Sequence, residues 1–479
     1  MANPSQRPGV VLAVLSLAAF MASLDVFIVN VAFDAIGADF PGSTLSQLSW
    51  VLNGYAIVYA ALLVPAGRIA DRYGRKGGFL IGLAVFTAAS AACAASEGIW
   101  WLVGFRVLQA AGAALLTPAS LGLVIAAAPP EHRARAVRVW AATGALAAAL
   151  GPAVGGVLVE ASWRWVFLVN VPIGVVALLA AAAWVPRSRD ESVTKIPDVR
   201  GALLLAVAIG ALTLALVEGP SWGWGSGRLG LAWAVAAAGL VGFVLSSRRH
   251  DAPIIEPALL RVRAFAWSNA TALLFAVPFA AALLTNILWM QQVWHYSAIR
   301  TGFAIAPGPL MVPVFAAIAH RLATRIPIGW IVAAGCVLVG AGGVTTSLLV
   351  GATPNYAGSV LPGWLIGGVG VGLALPAILS SATADLPPAR AATGSAIVNM
   401  NRQIGTALGV SVVIAVLGTP IGYAAAHAAF QHTWWTAAGV AILAAVAAPA
   451  MTPRAPLTGG QAAEVAQPPA TARMASPHR

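Results

Sequence analysis

Charged side chains are the scarce component of this 479-residue chain: Asp, Glu, Lys and Arg make up 9% of it, against about 25% in a soluble globular domain. So few charges cannot cover a water-facing surface, which excludes a soluble enzyme, a nucleic-acid binder and a disordered scaffold. Cysteine is almost missing. Cys93 and Cys336 each sit inside an apolar run, which excludes a disulfide framework and a cysteine-based metal site. A phosphate-cradling loop is missing too: Lys76 is followed by Gly77 and Lys195 by Ile196, so no Gly-x-x-x-x-Gly-Lys-Ser/Thr sequence exists to power the chain by nucleotide hydrolysis. The histidines fall in loops or at the ends of apolar runs, and no HExxH or paired-carboxylate pattern is present. An intramembrane enzyme is therefore not expected, nor is any cofactor or metal.

What is abundant is apolar surface, 59% of residues before glycine is counted, with a mean hydropathy of +0.85. A membrane helix needs about 20 apolar residues. The chain offers fourteen such stretches, at 10–32, 48–66, 78–96, 100–128, 139–159, 165–185, 201–218, 229–246, 267–291, 303–319, 329–350, 362–383, 393–418 and 433–450. The first is too long for a signal-peptide core and reads as a retained span.

Charge placement gives the orientation. With the N-terminus inside, 22 of the 27 Lys and Arg residues fall in inner segments and only Arg164, Arg228 and Arg300 in outer loops, as the positive-inside rule requires. The net charge of +12 is thus an orientation signal and not a nucleic-acid footprint. Trp50, Trp100, Trp101, Trp163, Trp165, Trp294, Trp434 and Trp435 mark the outer rim.

An internal repeat sets the architecture. At an offset of 258, Gly112 matches Gly370, Pro118 matches Pro376, Pro129-Pro130 matches Pro387-Pro388, and Gly151 matches Gly409 without a gap. Span 4 therefore corresponds to span 12, and spans 7 and 8 are an insertion between duplicated six-helix halves. The expected fold is an all-α polytopic membrane protein of 14 transmembrane helices arranged 6 + 2 + 6. The units run 1–186, 187–266 and 267–450, with a disordered cytoplasmic tail at 451–479. Apolar residues at helical spacing in Pro253–Phe265 predict a short interfacial helix leading into the second half.

Of the acidic residues only Asp25 lies well inside a span, and Arg106 of span 4 sits at matching depth. A carboxylate in lipid faces the bundle interior with a partner or a proton. Two readings follow: a proton site whose affinity Arg106 tunes by charge proximity, or a static ion pair that orients helices. Arg402, in Asn399-Met400-Asn401-Arg402-Gln403, has no carboxylate at its depth in its own half. A backbone, a substrate anion or the first half across a cavity could each meet it, and its role could be structural or functional.

Between spans 2 and 3 runs Gly67-Arg68-Ile69-Ala70-Asp71-Arg72-Tyr73-Gly74-Arg75-Lys76. Its glycines suit a tight turn, and Asp71 could cap a helix N-terminus. Gly151-Pro152-Ala153-Val154-Gly155-Gly156 in span 5 combines a helix-bending proline with glycines that allow close packing.

The 67–76 loop resembles the signature of the major facilitator superfamily. Leu24–Ala32, Arg106–Gly112, Gly151–Gly156 with Trp163–Phe167 and Asn170–Pro172, and Asn399–Gly405 are similar to motifs of its fourteen-helix drug:proton antiporter branch, which includes actinomycete antibiotic-export and antiseptic-resistance proteins. The resemblance implies proton-driven efflux of hydrophobic small molecules, the alternative being a proton-coupled importer of a small organic solute. It implies that Arg106 supports proton coupling, for which the residues themselves offer Asp25 as the proton site. It also implies that Gly67, Asp71, Arg72, Gly74 and Arg75 form an inner latch between the halves, and that Gly151, Pro152, Gly155 and Gly156 shape an exporter. Asn30, Asn53, Gln109, Asn399 and Arg402 are the candidates for the substrate cavity. Phe27 and Asp34 stand where the first-helix motif often has threonine and proline, and Asn53 where several relatives carry an acid. Substrates are therefore expected to be hydrophobic, neutral or singly charged. The remaining expectations are a monomer in the plasma membrane with both termini cytoplasmic, in contact with lipid and protons but not nucleic acid.

Overall fold

The computed structural model describes residues 8–190, 193 and 195–453; Arg7 and the segment 454–479, most of the expected tail, lie outside the described residues. Those described form helices and connecting turns, with no strand among them. Fourteen helices are long and apolar enough to cross a membrane: Pro8–Val31, Leu45–Tyr73, Arg75–Ala94, Ile99–Ala127, Pro130–Ala161, Trp165–Trp184, Val199–Trp222, Gly227–Arg249, Arg263–Val293, Ala298–Leu322, Ile328–Leu349, Tyr356–Ala384, Arg390–Leu417 and Tyr423–Met451. They are spans 1 to 14 below. Each overlaps the stretch its apolar run defines, extended by polar turns that composition alone assigns to loops.

The ends have local causes. Thr44 caps span 2 through a reciprocal pair with Gln47, and Ser226 and Ser297 cap spans 8 and 10. Span 10 breaks at Ala306, before Pro307, because the proline brings no backbone N–H to the helical ladder; Ala306 itself keeps helical dihedrals. Span 9 ends in a π-helical turn at Trp289–Val293, and span 12 begins with another at Tyr356–Val360.

The duplication reappears as packing. Span 1 packs on 5 as 9 packs on 13, span 3 on 4 as 11 on 12, and span 2 on 4 as 10 on 12. The repeat landmarks sit at these contacts. A Cβ on Gly112 would lie 2.8 Å from the Gly82 carbonyl oxygen, and one on Gly335 2.7 Å from that of Gly370. Gly151 meets Phe27 of span 1, and Gly409 meets Val277 of span 9. Between halves, span 2 packs on 13 and span 5 on 10, the two contacts that the repeat interchanges. The architecture is 6 + 2 + 6.

Spans 7 and 8 pack on one another, and span 7 fills the angle between spans 2 and 13. Asp198 caps span 7 at Gly201 (2.7 Å) and accepts from Ser246 of span 8 (2.8 and 2.9 Å). Ser46 donates to Glu218, joining spans 2 and 7.

The interfacial helix expected at Pro253–Phe265 does not form. A single 3-10 turn, Leu259–Arg261, precedes span 9. Pro253 and Pro257 interrupt the backbone ladder. The periodic apolar residues Ile254, Leu259 and Phe265 are buried instead against Leu205, Phe243, Ile397 and Met400. They plug the seam between span 7 and the second half and do not lie on a bilayer.

Candidate functional site

The centre of the first half is a closed polar cluster. Span 1 contributes Asp25 and span 4 contributes Arg106, with Gln109 one turn further along the same face. Asp25 is fully buried and Arg106 is 1% exposed. An Arg106 Nη1–H donates to the Asp25 carboxylate and to Gln109 Oε1 at 2.6 Å. Asp25 also accepts from Gln109 Nε2 (2.8 Å) and from Asn170 Nδ2 (3.0 Å) of span 6. Ser90 of span 3 accepts from the same two amides at 2.6 and 3.3 Å. Arg106 Nε donates to the Val51 carbonyl (3.2 Å), and its guanidinium lies 4.1 Å from the centroid of the Tyr55 ring.

Spans 1, 4 and 6 thus meet at one carboxylate, which accepts from three donors, while groups of spans 2 and 3 hold those donors in place. Removing one member of such a buried pair costs about 3–5 kcal/mol. Arg106 and Tyr55 form part of the wall of a large cavity while Asp25 stands behind them. A displacement of Arg106 would open that carboxylate to the cavity.

The cavity has a volume of about 760 Å³ and lies between the halves. Asn30, Asn53, Asn399 and Arg402 line it, as the sequence suggests. Gln109 does not: it is fully buried in the Asp25 cluster, turned away by its bonds to Asp25 and Ser90. Asn30 and Asn399 satisfy their amides on their own helices. Asn53 reaches across to Ser411 of span 13 (3.3 Å) and leaves its Oδ1 without a partner. Arg402 leaves its buried Nε without an acceptor.

The cavity reaches the end of the bundle that carries the 67–76 loop, with Arg68, Asp71 and Arg75 in its wall. The other end is shut. One apolar cluster there includes Val31, Leu48 and Phe167 of the first half with Leu284, Trp289 and Val413 of the second. Gln291 donates to the Val31 carbonyl (3.0 Å) across the halves. The span 5 motif lies in this closure: Gly151 and Gly155 meet Phe27 and Ile28 of span 1, and Gly156 meets the backbone of span 10 at Ala298 and Ile299.

The 67–76 segment is part helix and part turn. Gly67 lies within span 2, where it meets Pro118 of span 4; the turn falls to Gly74, whose φ of +126° favours glycine. Arg75 Nε bonds Asp71 (2.6 Å) one turn away, and Arg75 also pairs with Asp190 (3.6 Å) in the segment after span 6. The Arg72 guanidinium lies 5.3 Å from the Tyr73 ring. The described ion pairs of Asp71 and Arg75 therefore stay on the first half's side. Asp71 caps no helix, because its carboxylate is held by Arg75. The second half is reached through Glu256, which pairs with Arg68 (3.2 Å) and with Arg390 at the start of span 13 (3.5 Å).

Sequence reasoning did not single out Ser90, Tyr55 or Glu256. A lone Ser or Tyr in an apolar span has no pattern to mark it, and Glu256 was hidden by the helix assigned to its segment. Asn170 was visible as an amide in an otherwise apolar span.

Two six-helix halves around one cavity, with a charge pair buried beside it, define a membrane transporter. The chain belongs to the Major Facilitator Superfamily, whose family model matches residues 15–410. It is 32% identical to a "Methylenomycin A resistance protein" of Streptomyces coelicolor over 85% of this chain and 86% of the relative. It is 35% identical to a "Probable actinorhodin transporter" of the same organism (87% and 73%). It is 34% identical to "Multidrug resistance protein Stp" of Mycobacterium tuberculosis (84% and 74%). Among solved structures, a peptide transporter POT in complex with sulfate superposes with a TM-score of 0.66 at 17% identity, over 93% of this chain and 97% of that one, a likeness of fold.

Proposed function

We propose that the chain exports hydrophobic small molecules in exchange for protons by alternating access, as a monomer in the plasma membrane with both termini cytoplasmic. The relatives named for antibiotic resistance and export support the direction of transport. One observation carries the coupling: Asp25, fully buried and paired with Arg106, stands one side chain behind the cavity wall. In this reading the halves 1–186 and 267–450 rock about the cavity, with 187–266 bracing the seam between spans 2 and 13. The present state, closed at the tryptophan-rich end, loads substrate from the cytoplasm.

Opening of the outer end would separate the span 5 glycines from span 10 and move Arg106 off Asp25, which then takes a proton. Closing returns Arg106, and the competing positive charge drives the proton to the inner side. Asn30, Asn53, Asn399 and Arg402 contact substrate. Gly67, Asp71, Arg72, Gly74 and Arg75, at the end of span 2 and the turn after it, form the inner gate, and Gly151, Pro152, Gly155 and Gly156 of span 5 the outer one. Purified protein in liposomes loaded with a pH-sensitive dye tests this. Adding a substrate on the side of the 67–76 loop should move protons the opposite way; substrate flux with no proton movement would refute antiport.

A further inference from the structure

Four arginines reach the cavity wall: Arg68, Arg75, Arg106 and Arg402. Three are matched by carboxylates, in Glu256, Asp71 and Asp25 respectively. Arg402 has no ion-pair partner among the described residues, and its Nε is buried with no acceptor. Among the described residues the one carboxylate in the wall, Asp71, is held at the cavity mouth by Arg75. The space beside Arg402 therefore carries an uncompensated positive charge inside a membrane protein, where such a charge is costly until an anion meets it.

We propose that Arg402 is an anion anchor, and that the transported compounds are lipophilic weak organic acids bound as their anions. The inference rests on the export reading and names its substrate class. A guanidinium offers a planar pair of donors that suits a carboxylate or phenolate. Tyr59 of span 2 lines the same cavity. The second unmatched group, Asn53 Oδ1, marks the far end of the site. Its partner Ser411 is nine residues along span 13 from Arg402, roughly 13 Å at the helical rise of about 1.5 Å per residue. Phe279, Leu283 and Trp364 line the space with apolar surface. An acid with two or three fused rings spans that distance, its anionic group at Arg402 and a hydroxyl donor at Asn53.

The test uses the full chain in phosphatidylcholine nanodiscs, so that no anionic lipid competes for Arg402. Three ring-matched probes are titrated: 9-anthracenecarboxylate, its methyl ester, and the 9-anthracenylmethyl-trimethylammonium cation. The carboxylate should bind about tenfold or more tighter than the ester, a charge-assisted pair's contribution, and the cation weakest. Arg402→Gln should bring acid and ester to within about twofold; Arg402→Lys should keep the order with a smaller gap, and serves if the Gln variant does not fold. Equal binding of all three, tighter binding of the cation, or no carboxylate binding at millimolar concentration would overturn the proposal. Transport of the cation against a pH gradient would overturn it while leaving export intact. Arg402-dependent acid binding without coupled transport would do the reverse.

Discussion

Gly156 of span 5 and Ala298 of span 10 meet across the two halves so closely that a Cβ on Gly156 would lie 2.5 Å from the Ala298 carbonyl oxygen. The complementary contact sits nearby, where Gly302 of span 10 faces the backbone of Pro152. The residues that resemble an exporter motif therefore close the tryptophan-rich end, and glycine is there because two helices touch through their backbones.

A side chain at this contact should keep that end open. Overpacking a close contact costs about 1–3 kcal/mol, so Gly156→Val should shift the population between states by about tenfold or more. A cysteine placed at the buried Leu284 should then react with a membrane-impermeant thiol reagent from the outer side, and transport should fall. Unchanged labelling would show that this contact does not govern closure.

Glu256 holds Arg68 and Arg390 together. Both pairs are partly exposed, so each contributes less than about 1 kcal/mol. Glu256→Gln should alter the transport rate a few-fold and leave substrate binding within about twofold. Glu256→Arg, which sets three cations together, should slow transport further. The check is initial transport rate against affinity in one preparation; a large loss of affinity would place Glu256 at the substrate instead.

The fold was legible because lipid imposes a simple rule, that every span be long and apolar, and basic loops then sort the connections. The repeat was legible because Gly112, Gly151, Gly370 and Gly409 mark backbone contacts that tolerate no side chain. The Asp25–Arg106 pair could be read from depth alone. Spacing does not tell which of two polar neighbours a helix turns inward, so Gln109 reads as a cavity residue in sequence and lies in the Asp25 cluster instead. The contact of Glu256 with Arg68 and Arg390 is not legible in the sequence, since tertiary pairing of a loop leaves no periodic trace. The Pro253–Phe265 segment kept a helical period, yet its two prolines and a buried seam decided otherwise.

At the tryptophan-rich end, Asp39 links the first half's loops. The Trp163 indole N–H (2.9 Å) and the Arg164 guanidinium (2.6 Å) hold its carboxyl below the usual 3.8. A carboxyl lowered in the folded state adds stability that is present above the unfolded value and lost as pH falls through the folded one. The melting temperature of the native chain should exceed that of Asp39→Asn by a constant small margin above about pH 5, and the margin should vanish on acidification below about pH 4. A margin that grew on acidification would contradict the assignment.

The buried cluster also makes a stability prediction. An asparagine at position 25 keeps one of the two accepting oxygens, and with it either the Arg106 donor or the Gln109 and Asn170 donors, so Asp25→Asn should fold with a smaller loss than Asp25→Ala. Asp25→Ala leaves Arg106 unpaired and should cost about 3–5 kcal/mol; adding Arg106→Leu should recover part of that loss. Thermal melts of these variants and of Arg106→Leu alone check this, and losses of the two single variants that add up in the double would mean that the two residues do not act as a pair.

The most direct test compares two fluxes for Asp25→Asn in proteoliposomes: uphill transport driven by a pH gradient, and exchange of substrate at equal pH. A proton site at Asp25 predicts that the gradient-driven flux is abolished while exchange continues, because the cavity and its rocking motion remain. Full gradient-driven transport in the Asn variant would contradict the account and leave Asp25–Arg106 as an ion pair that only holds helices together.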